Sequence, residues 1–244
     1  MVKSTNPTFF VNLEYQNKLM HFKFAFLLYL TIQISMAQPQ ISYLALGDSY
    51  TIGESVSLQK SWPHLLMKDS QEHDFNIKNP KTIAKTGWRT DELISAIASE
   101  NIADASYDLV SLLIGVNNQY QSIALEVYKE EFQELLNKAI HFSKHKTKGV
   151  FVVSIPDYST TTFAKKSDKK NIREELNQYN AYAKQLCELY EIPFYDVTDL
   201  SSEINSEKEM LAEDDLHPSA KQYQKWVNHF IENFNKDFSH LKHE

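Results

Sequence analysis

From residue 41 onward, short apolar runs typical of buried strands alternate with stretches that have helical periodicity. The clearest strand candidates are Ile41–Leu46, Leu109–Ile114, Val150–Ile155 and Ile192–Val197, with a weaker one at Phe75–Ile83. Such alternation is typical of a parallel sheet covered by helices on both faces. The pattern therefore predicts an α/β fold, a three-layer α/β/α sandwich around a central, mostly parallel five-stranded sheet.

The helical stretches share apolar residues spaced by three and four, which predicts amphipathic helices. The predicted helices are Asp91–Ser99, Tyr128–Phe142, Ile172–Tyr190 and Ala220–Phe234. The last of these is predicted to have Pro218 in its first turn, where a missing N–H costs nothing. The polar stretch Thr160–Lys170 has no apolar period, so we expect an exposed loop that borders a cleft.

The N-terminal part of the chain is typical of a secretory signal peptide. Its basic, apolar and small-residue regions are Lys18, His21 and Lys23, then Phe24–Ile34, then Ser35-Met36-Ala37. The apolar run is shorter than the ~20 residues that cross a bilayer, so a permanent membrane span is not expected. We predict residues 1–37 as a signal peptide, with Met20 as a second possible start. Residues 38–244 would then be one domain, exported to the periplasm or secreted.

Composition limits the possible partners of this domain. The chain has 244 residues, 42% of them hydrophobic, which is enough for one sizeable core but too few for two. The net charge of -7 offers no basic field for a phosphate backbone, so nucleic acid is not an expected partner. Cys187 is the single cysteine, so no intramolecular disulfide can form.

Glycine is rare in this chain, so its positions are informative. There are only five glycines, against the ~17 that average usage would give. Gly47 and Gly53 are the two ends of the segment that follows the first predicted strand, Gly87 precedes a predicted helix, and Gly115 follows another strand. In open α/β sheets the loops at the carboxyl ends of strands form the crevice where ligands bind. We therefore expect these glycine-containing loops to surround a site.

Four short blocks in these loops resemble the four blocks of the SGNH (GDSL-type) hydrolase family. The matching residues are Ser49 in Gly-Asp-Ser, Gly87, Asn117 in Gly-x-Asn and His217 in Asp-x-x-His, in the family order. A single tripeptide of this kind is weak evidence, but the ordered set is specific. The resemblance covers roughly residues 41–236. It implies a flavodoxin-like α/β/α fold and a serine esterase.

Ester hydrolysis needs an activated hydroxyl, a base, a group that orients the base, and donors for the oxyanion. Ser49 supplies the hydroxyl and His217 the base, since imidazole is the side chain whose ordinary titration lies nearest neutral pH. Asp214, three residues before His217, is placed to orient its ring. The resemblance implies an oxyanion hole made of the Ser49 and Gly87 N–H groups and the Asn117 amide. No cofactor is expected, and no metal either, because the histidines lack metal-ligand spacing.

Several alternatives stay open at the level of sequence. Asp215 adjoins Asp214, although spacing to His217 favours Asp214 as the triad acid. Position 118 is Asn, whereas the family often has Asp there.

The substrate is expected to be a small-molecule, glycan or lipid ester, such as an acetylated glycan, a short-chain ester or a lysolipid. An acyltransferase and a non-catalytic glycan- or lipid-binding domain are the competing functions. Tyr50, Trp88 and Tyr120 either line the pocket or pack in the core.

Overall fold

A computed structural model of the chain describes residues 18, 20–23, 39–100, 102, 106–207 and 209–242. The chain divides into two compact units, residues 1–38 and 39–244. In the first unit the described residues, 18 and 20–23, are helical. The apolar run and cleavage site of the proposed signal peptide, residues 24–37, lie outside the described residues, so that assignment stays a prediction. Within the described ranges, no helix combines the length and apolarity that a bilayer span requires.

The second unit is built on one five-stranded sheet. Its strands are β1 (Tyr43–Asp48), β2 (Lys81–Lys85), β3 (Leu109–Leu113), β4 (Val150–Val153) and β5 (Phe194–Tyr195). They lie in the order β2-β1-β3-β4-β5, and all four pairings are parallel. The predicted central parallel sheet is confirmed, and this strand order is that of flavodoxin-like folds.

The strands β1, β3 and β4 are buried along their whole length. Strands covered by helices on both faces are near-continuous apolar runs, which is why the sequence pattern located these three well. The weaker candidate Phe75–Ile83 was wrong in its bounds. The strand is Lys81–Lys85, and Ile77 forms only an isolated bridge with Ile41. β2 lies at the sheet edge with exposed ends, so it lacks the apolar run that marks a buried strand.

Nine α-helices follow or separate the strands of this unit in the described residues. They are α1 (Ser49–Ile52), α2 (Trp62–Ser70), α3 (Thr90–Ser99), α4 (Val116–Tyr120), α5 (Leu125–Phe142), α6 (Thr162–Lys165), α7 (Ile172–Leu189), α8 (Thr198–Ile204) and α9 (Ala220–Asp237). All four predicted helices are present as α3, α5, α7 and α9, with small shifts at their ends.

The helices pack on the sheet through large side chains. Helices α5 and α7 meet at Tyr128 and Tyr179, whose ring centroids are 4.4 Å apart. From the sheet, Phe151 of β4 packs against Trp62 of α2 and Phe234 of α9, with ring centroids 6.1 Å and 5.8 Å away. Together with the sheet, these helices form the α/β/α sandwich. Cys187, in α7, is fully buried in the same core.

Two local predictions need correction. The expected loop Thr160–Lys170 contains the single-turn helix α6, which begins because the Thr161 hydroxyl accepts a hydrogen bond from the Ala164 N–H at 3.1 Å. One turn is too short to show a periodic pattern. Pro218 lies before the first turn of α9, because Ser219 is the N-cap and its Oγ accepts from the Gln222 N–H at 3.2 Å.

Candidate active site

Ser49 lies where β1 ends and α1 begins, at the carboxyl edge of the sheet. Asp48 is the N-cap of α1, and its Oδ1 accepts a hydrogen bond from the Tyr50 N–H at 3.0 Å. Gly47 must be glycine here, because a Cβ would lie 2.1 Å from Thr51 Oγ1 and 2.5 Å from the Leu113 carbonyl oxygen. The strand and the helix therefore meet in a close turn that leaves no room for a side chain at position 47.

His217 and Asp214 form a tight pair on one short segment. His217 Nδ1 and Asp214 Oδ2 are 2.7 Å apart, and Asp214 Oδ1 accepts from the backbone N–H groups of His217 and Leu216 at 2.9 Å and 3.0 Å. The Ser55 hydroxyl donates to Asp214 Oδ2 at 2.7 Å. Because an ionised carboxylate only accepts, Nδ1 carries the proton and Nε2 is left as the basic nitrogen.

Asp214 is ionised at neutral pH. Its partial burial raises the pKa, but hydrogen bonds from Ser55, His217 and the two backbone N–H groups outweigh burial and lower the pKa to about 2. A carboxylate that accepts several hydrogen bonds is strongly stabilised in its charged form. The negative charge beside His217 is thus present throughout the range in which an imidazole titrates.

The neighbouring acid Asp215 makes different contacts. Its carboxylate pairs with Lys166 at 3.0 Å, and its carbonyl oxygen accepts from the Phe163 N–H at 3.1 Å. Both charged side chains of that pair are well exposed. Asp215 therefore ties the α6 segment to the loop that carries His217, whereas the contact with the His217 ring belongs to Asp214.

Gly87 lies in the loop that follows β2, and Asn117 lies in the short helix α4 that follows β3. Gly87 has a φ of 83°, and nothing lies within 4 Å of the position that a Cβ would take, so its backbone faces open space. Asn117 Nδ2 donates one hydrogen bond to the Trp88 carbonyl at 3.0 Å. An amide nitrogen carries two hydrogens, so this bond fixes the side-chain orientation and leaves the second hydrogen for a ligand.

These loops enclose a cleft of about 170 Å³. The side chains or backbone of eleven residues line it: Ser49, Tyr50, Thr86, Gly87, Val116, Asn117, Tyr120, Tyr158, Phe163, Leu216 and His217. The structure thus brings the four block residues, distant in sequence, to one crevice. Tyr50 and Tyr120 line it, whereas Trp88 packs against the core and contributes the carbonyl that holds Asn117.

Some residues near the site carried no sequence signal. Ser55 contacts Asp214 across 159 positions of the chain, and Phe163 reaches the cleft from the short helix α6. Tyr158 is held in the wall by its hydroxyl, which donates to Gln119 Oε1 at 2.8 Å. None of them belongs to a block or to a periodic stretch. In the part of the chain that the structure describes, no three His, Cys, Asp or Glu side chains are grouped to hold a metal ion.

Asp48, the residue before Ser49, is fully buried, and among the described residues its Oδ2 has no hydrogen-bond partner. Burial raises the pKa of Asp48 from 3.8 to about 7, which the bond from the Tyr50 N–H offsets only in part. The protonated form of Asp48 therefore favours the folded state. Its contribution to the free energy of unfolding is fully present below the unfolded-state pKa and is lost as the pH rises through about 7.

We expect the free energy of unfolding of the wild type to fall, relative to that of Asp48→Asn, by on the order of 2 kcal/mol between about pH 5 and about pH 8. Asparagine keeps the oxygen that caps α1 but cannot ionise. Urea titrations of both proteins at the two pH values measure the difference. Parallel pH dependence in the two proteins would show that Asp48 does not titrate as described.

The parallel sheet order and the cleft at its carboxyl edge, with Ser, Gly, Asn and His around it, define a hydrolase of the SGNH class. The chain belongs to the GDSL-like lipase/acylhydrolase family, whose sequence profile matches residues 45–225. The resemblance described from the four blocks is thereby confirmed. The protein is accordingly a carboxylic ester hydrolase, which acts on small-molecule esters. A comparison with curated proteins gives no match.

Solved structures with similar folds include a lipolytic protein and two esterases. A lipolytic protein of the G-D-S-L family from Veillonella parvula shares 18% identity, with 81% of this chain and 100% of that chain covered and a TM-score of 0.63. Axe2, an acetylxylan esterase from Geobacillus stearothermophilus, shares 18% over 81% and 94%, with a TM-score of 0.61. The esterase EstA from Pseudoalteromonas, inhibited by monoethylphosphonate, shares 13% over 80% and 98%, with a TM-score of 0.55. At these low identities, the TM-scores and coverages show that the fold is shared.

Proposed function

We propose that the protein hydrolyses esters through an acyl-enzyme formed on Ser49. The observation that carries this proposal is the meeting of Ser49, Gly87, Asn117 and His217 in one cleft, with Asp214 hydrogen-bonded to the far nitrogen of His217. A hydroxyl, a base and an orienting carboxylate are the three groups that nucleophilic acyl transfer requires. Their arrangement supports hydrolysis without any further reactive group.

In the first half of the reaction, Ser49 Oγ attacks the carbonyl carbon of the ester while His217 Nε2 takes the hydroxyl proton. The tetrahedral intermediate collapses when the bond to the alcohol oxygen breaks and His217 returns the proton to that oxygen. Asp214 stabilises the imidazolium in between. The products of this half are the free alcohol and an acyl group esterified to Ser49.

The second half repeats the chemistry with water as the nucleophile. His217 removes a proton from water, whose oxygen attacks the acyl carbon, and the bond to Ser49 Oγ then breaks as His217 reprotonates the serine. The carboxylic acid leaves and the enzyme is regenerated. An acyltransferase would differ only in this half, where a second alcohol would replace water.

Three N–H donors are suited to hold the negative oxygen in both halves. They are the backbone N–H groups of Ser49 and Gly87 and the second Nδ2 hydrogen of Asn117. The geometry supports this role because Gly87 is open toward the cleft and Asn117 is held by the Trp88 carbonyl. Donors fixed before the reaction starts stabilise the developing charge without reorganising.

The shape of the cleft favours esters of short acids. Its volume of about 170 Å³ is below the roughly 300–1,000 Å³ of pockets that hold drug-sized ligands. Tyr158 and Phe163 stand in its wall, and Tyr158 is almost completely buried. The structurally similar Axe2 is an acetylxylan esterase. We propose acetyl and other short acyl groups, on alcohols such as sugars, as the substrate class. The signal-like N-terminus favours action outside the cytoplasm.

Hydrolysis of a p-nitrophenyl ester series tests this function. We expect kcat/KM to be highest for acetate or propionate and to be at least ~10-fold lower for octanoate, because a cleft of about 170 Å³ offers little room for a long acyl chain. Release of p-nitrophenol and of free acid is measured in water alone. A maximum at long chains would contradict the short-acyl proposal, and release that needs an added alcohol would indicate an acyltransferase.

A further inference from the structure

A buried chain of hydrogen bonds joins the segment that follows Gly87 to the short helix α4, which carries Asn117. The Thr90 N–H donates to Asn118 Oδ1 at 3.1 Å, and Asn118 Nδ2 donates to Thr90 Oγ1 at 2.6 Å. The Thr90 hydroxyl in turn donates to Glu131 Oε2. Asn118 is 1% exposed and Thr90 is completely buried, so water does not compete for these groups.

The direction of every hydrogen in this chain is determined. A backbone N–H can only donate, so the atom of Asn118 that faces it is the carbonyl oxygen, and the other is the NH₂ group. That NH₂ group occupies a lone pair of Thr90 Oγ1, whose single hydrogen is therefore available only to Glu131. Glu131, on α5, accepts it. Each of these three donors thus meets one acceptor. This match of donors and acceptors requires an amide at position 118, because only an amide both accepts from the Thr90 N–H and donates to Thr90 Oγ1.

The chain spans the two loops that hold the proposed oxyanion donors. Thr90 is the first residue of α3, three positions after Gly87, and Asn118 directly follows Asn117 in α4. Two further bonds cross the same gap, from Asn117 Nδ2 to the Trp88 carbonyl at 3.0 Å and from Arg89 Nη1 to Gln121 Oε1 at 2.7 Å. Of these links, only the one through Asn118 is buried and continues into the helix layer.

We propose that Asn118, Thr90 and Glu131 are positioning residues that set the spacing between the Gly87 N–H and the Asn117 side-chain amide. This inference rests on the proposed function, because it assumes that those two groups bind the oxyanion. It also accounts for Asn at position 118, where the SGNH resemblance leads one to expect Asp. An aspartate there would leave two carboxylates, its own and that of Glu131, competing for the single hydrogen of Thr90 Oγ1.

The test is a cycle of variants that breaks and then restores this match. Asn118→Asp removes the donor to Thr90 Oγ1. In Glu131→Gln the amide oxygen still accepts from Thr90, so this single change is tolerated. In the double variant the new amide at position 131 donates to Thr90 Oγ1, and the Thr90 hydrogen goes to the new carboxylate at position 118, which restores a complete chain in the opposite direction. The full chain is used, and kcat and KM for p-nitrophenyl acetate are measured.

We expect Asn118→Asp to lower kcat by roughly 10- to 100-fold, the effect of misplaced catalytic groups, with little change in KM because ground-state binding is retained. The double variant should recover to within about threefold of wild type. Asn177→Asp, an exposed change of the same charge on α7, is the control and should be neutral. Should Asn118→Asp fail to fold, Thr90→Val compared with Thr90→Ser tests the same chain, because only serine keeps the hydroxyl.

A double variant no more active than Asn118→Asp would overturn the proposal, as would an Asn118→Asp enzyme with normal kcat. If kcat fell in parallel with thermal stability in each variant, and the double variant recovered neither, the role of these residues would be merely structural. Failure of the proposed function itself looks different. In that case the wild-type activity would not depend on Ser49, whereas failure of the present inference alone would leave an activity that depends on Ser49 and is insensitive to residue 118.

Discussion

Ser49→Ala is expected to reduce kcat for p-nitrophenyl acetate by roughly 10⁴-fold or more, because the variant lacks the hydroxyl on which we propose that the acyl-enzyme forms. The loss should leave the fold intact, since Ser49 is the first residue of α1, a position where alanine fits. Steady-state kinetics and the far-ultraviolet circular dichroism spectrum of the variant measure both effects.

An exposed serine in another helix provides the control for this variant. Ser95 in α3 is exposed and donates only to the Asp91 carbonyl, so Ser95→Ala should have wild-type activity. A fluorophosphonate probe adds a direct readout, because it should modify wild type on the peptide that contains Ser49 and leave Ser49→Ala unmodified. Undiminished turnover in Ser49→Ala, or a label on another residue, would refute the proposed mechanism.

Asp214→Asn is expected to lower kcat by about 10³- to 10⁴-fold, while Asp215→Asn retains nearly full activity. An asparagine at 214 offers an NH₂ group as well as an oxygen, so the preferred His217 tautomer with a free Nε2 is lost. Asp215→Asn removes only the exposed ion pair with Lys166, and such pairs are worth about 0–1 kcal/mol.

The two adjacent variants carry the same chemical change one position apart, so each serves as the control for the other. Kinetics on p-nitrophenyl acetate and thermal unfolding of both proteins separate catalysis from stability. If Asp215→Asn were the inactive one, the carboxylate of the triad would have to be reassigned. If both variants were folded but inactive, activity would also require the contacts through which Asp215 holds the His217 loop against α6.

The parts of the fold that the sequence predicts well are those where burial imposes a continuous pattern. The three inner strands and the long helices α5, α7 and α9 lie against the core along their length, so their apolar residues mark them. Strand β2 at the sheet edge has polar, exposed ends, and β5 pairs over only two residues, so the predicted bounds there were wrong or too long. The one-turn helices α1 and α6 depend on capping rather than on periodicity.

The site divides in a similar way. Ser49, Gly87, Asn117 and His217 stand in short local blocks at strand ends and helix starts, and the topology of a parallel sheet brings such positions together. Ser55 and Glu131 reach the site only through contacts across distant parts of the chain. A serine in a polar segment, or a glutamate in an amphipathic helix, has no distinguishing pattern, so these partners become visible only in the folded structure.

The burial of Cys187 has a practical consequence for studying this enzyme. It is the chain's single cysteine, it is fully buried, and burial raises the pKa of its thiol to about 12, so it carries almost no reactive thiolate at neutral pH. A cysteine introduced at an exposed position such as Leu189, which is 75% exposed, would then be the one thiol that reacts with a maleimide dye. Fluorescent or spin-labelled enzyme can be prepared from such a variant without first replacing Cys187.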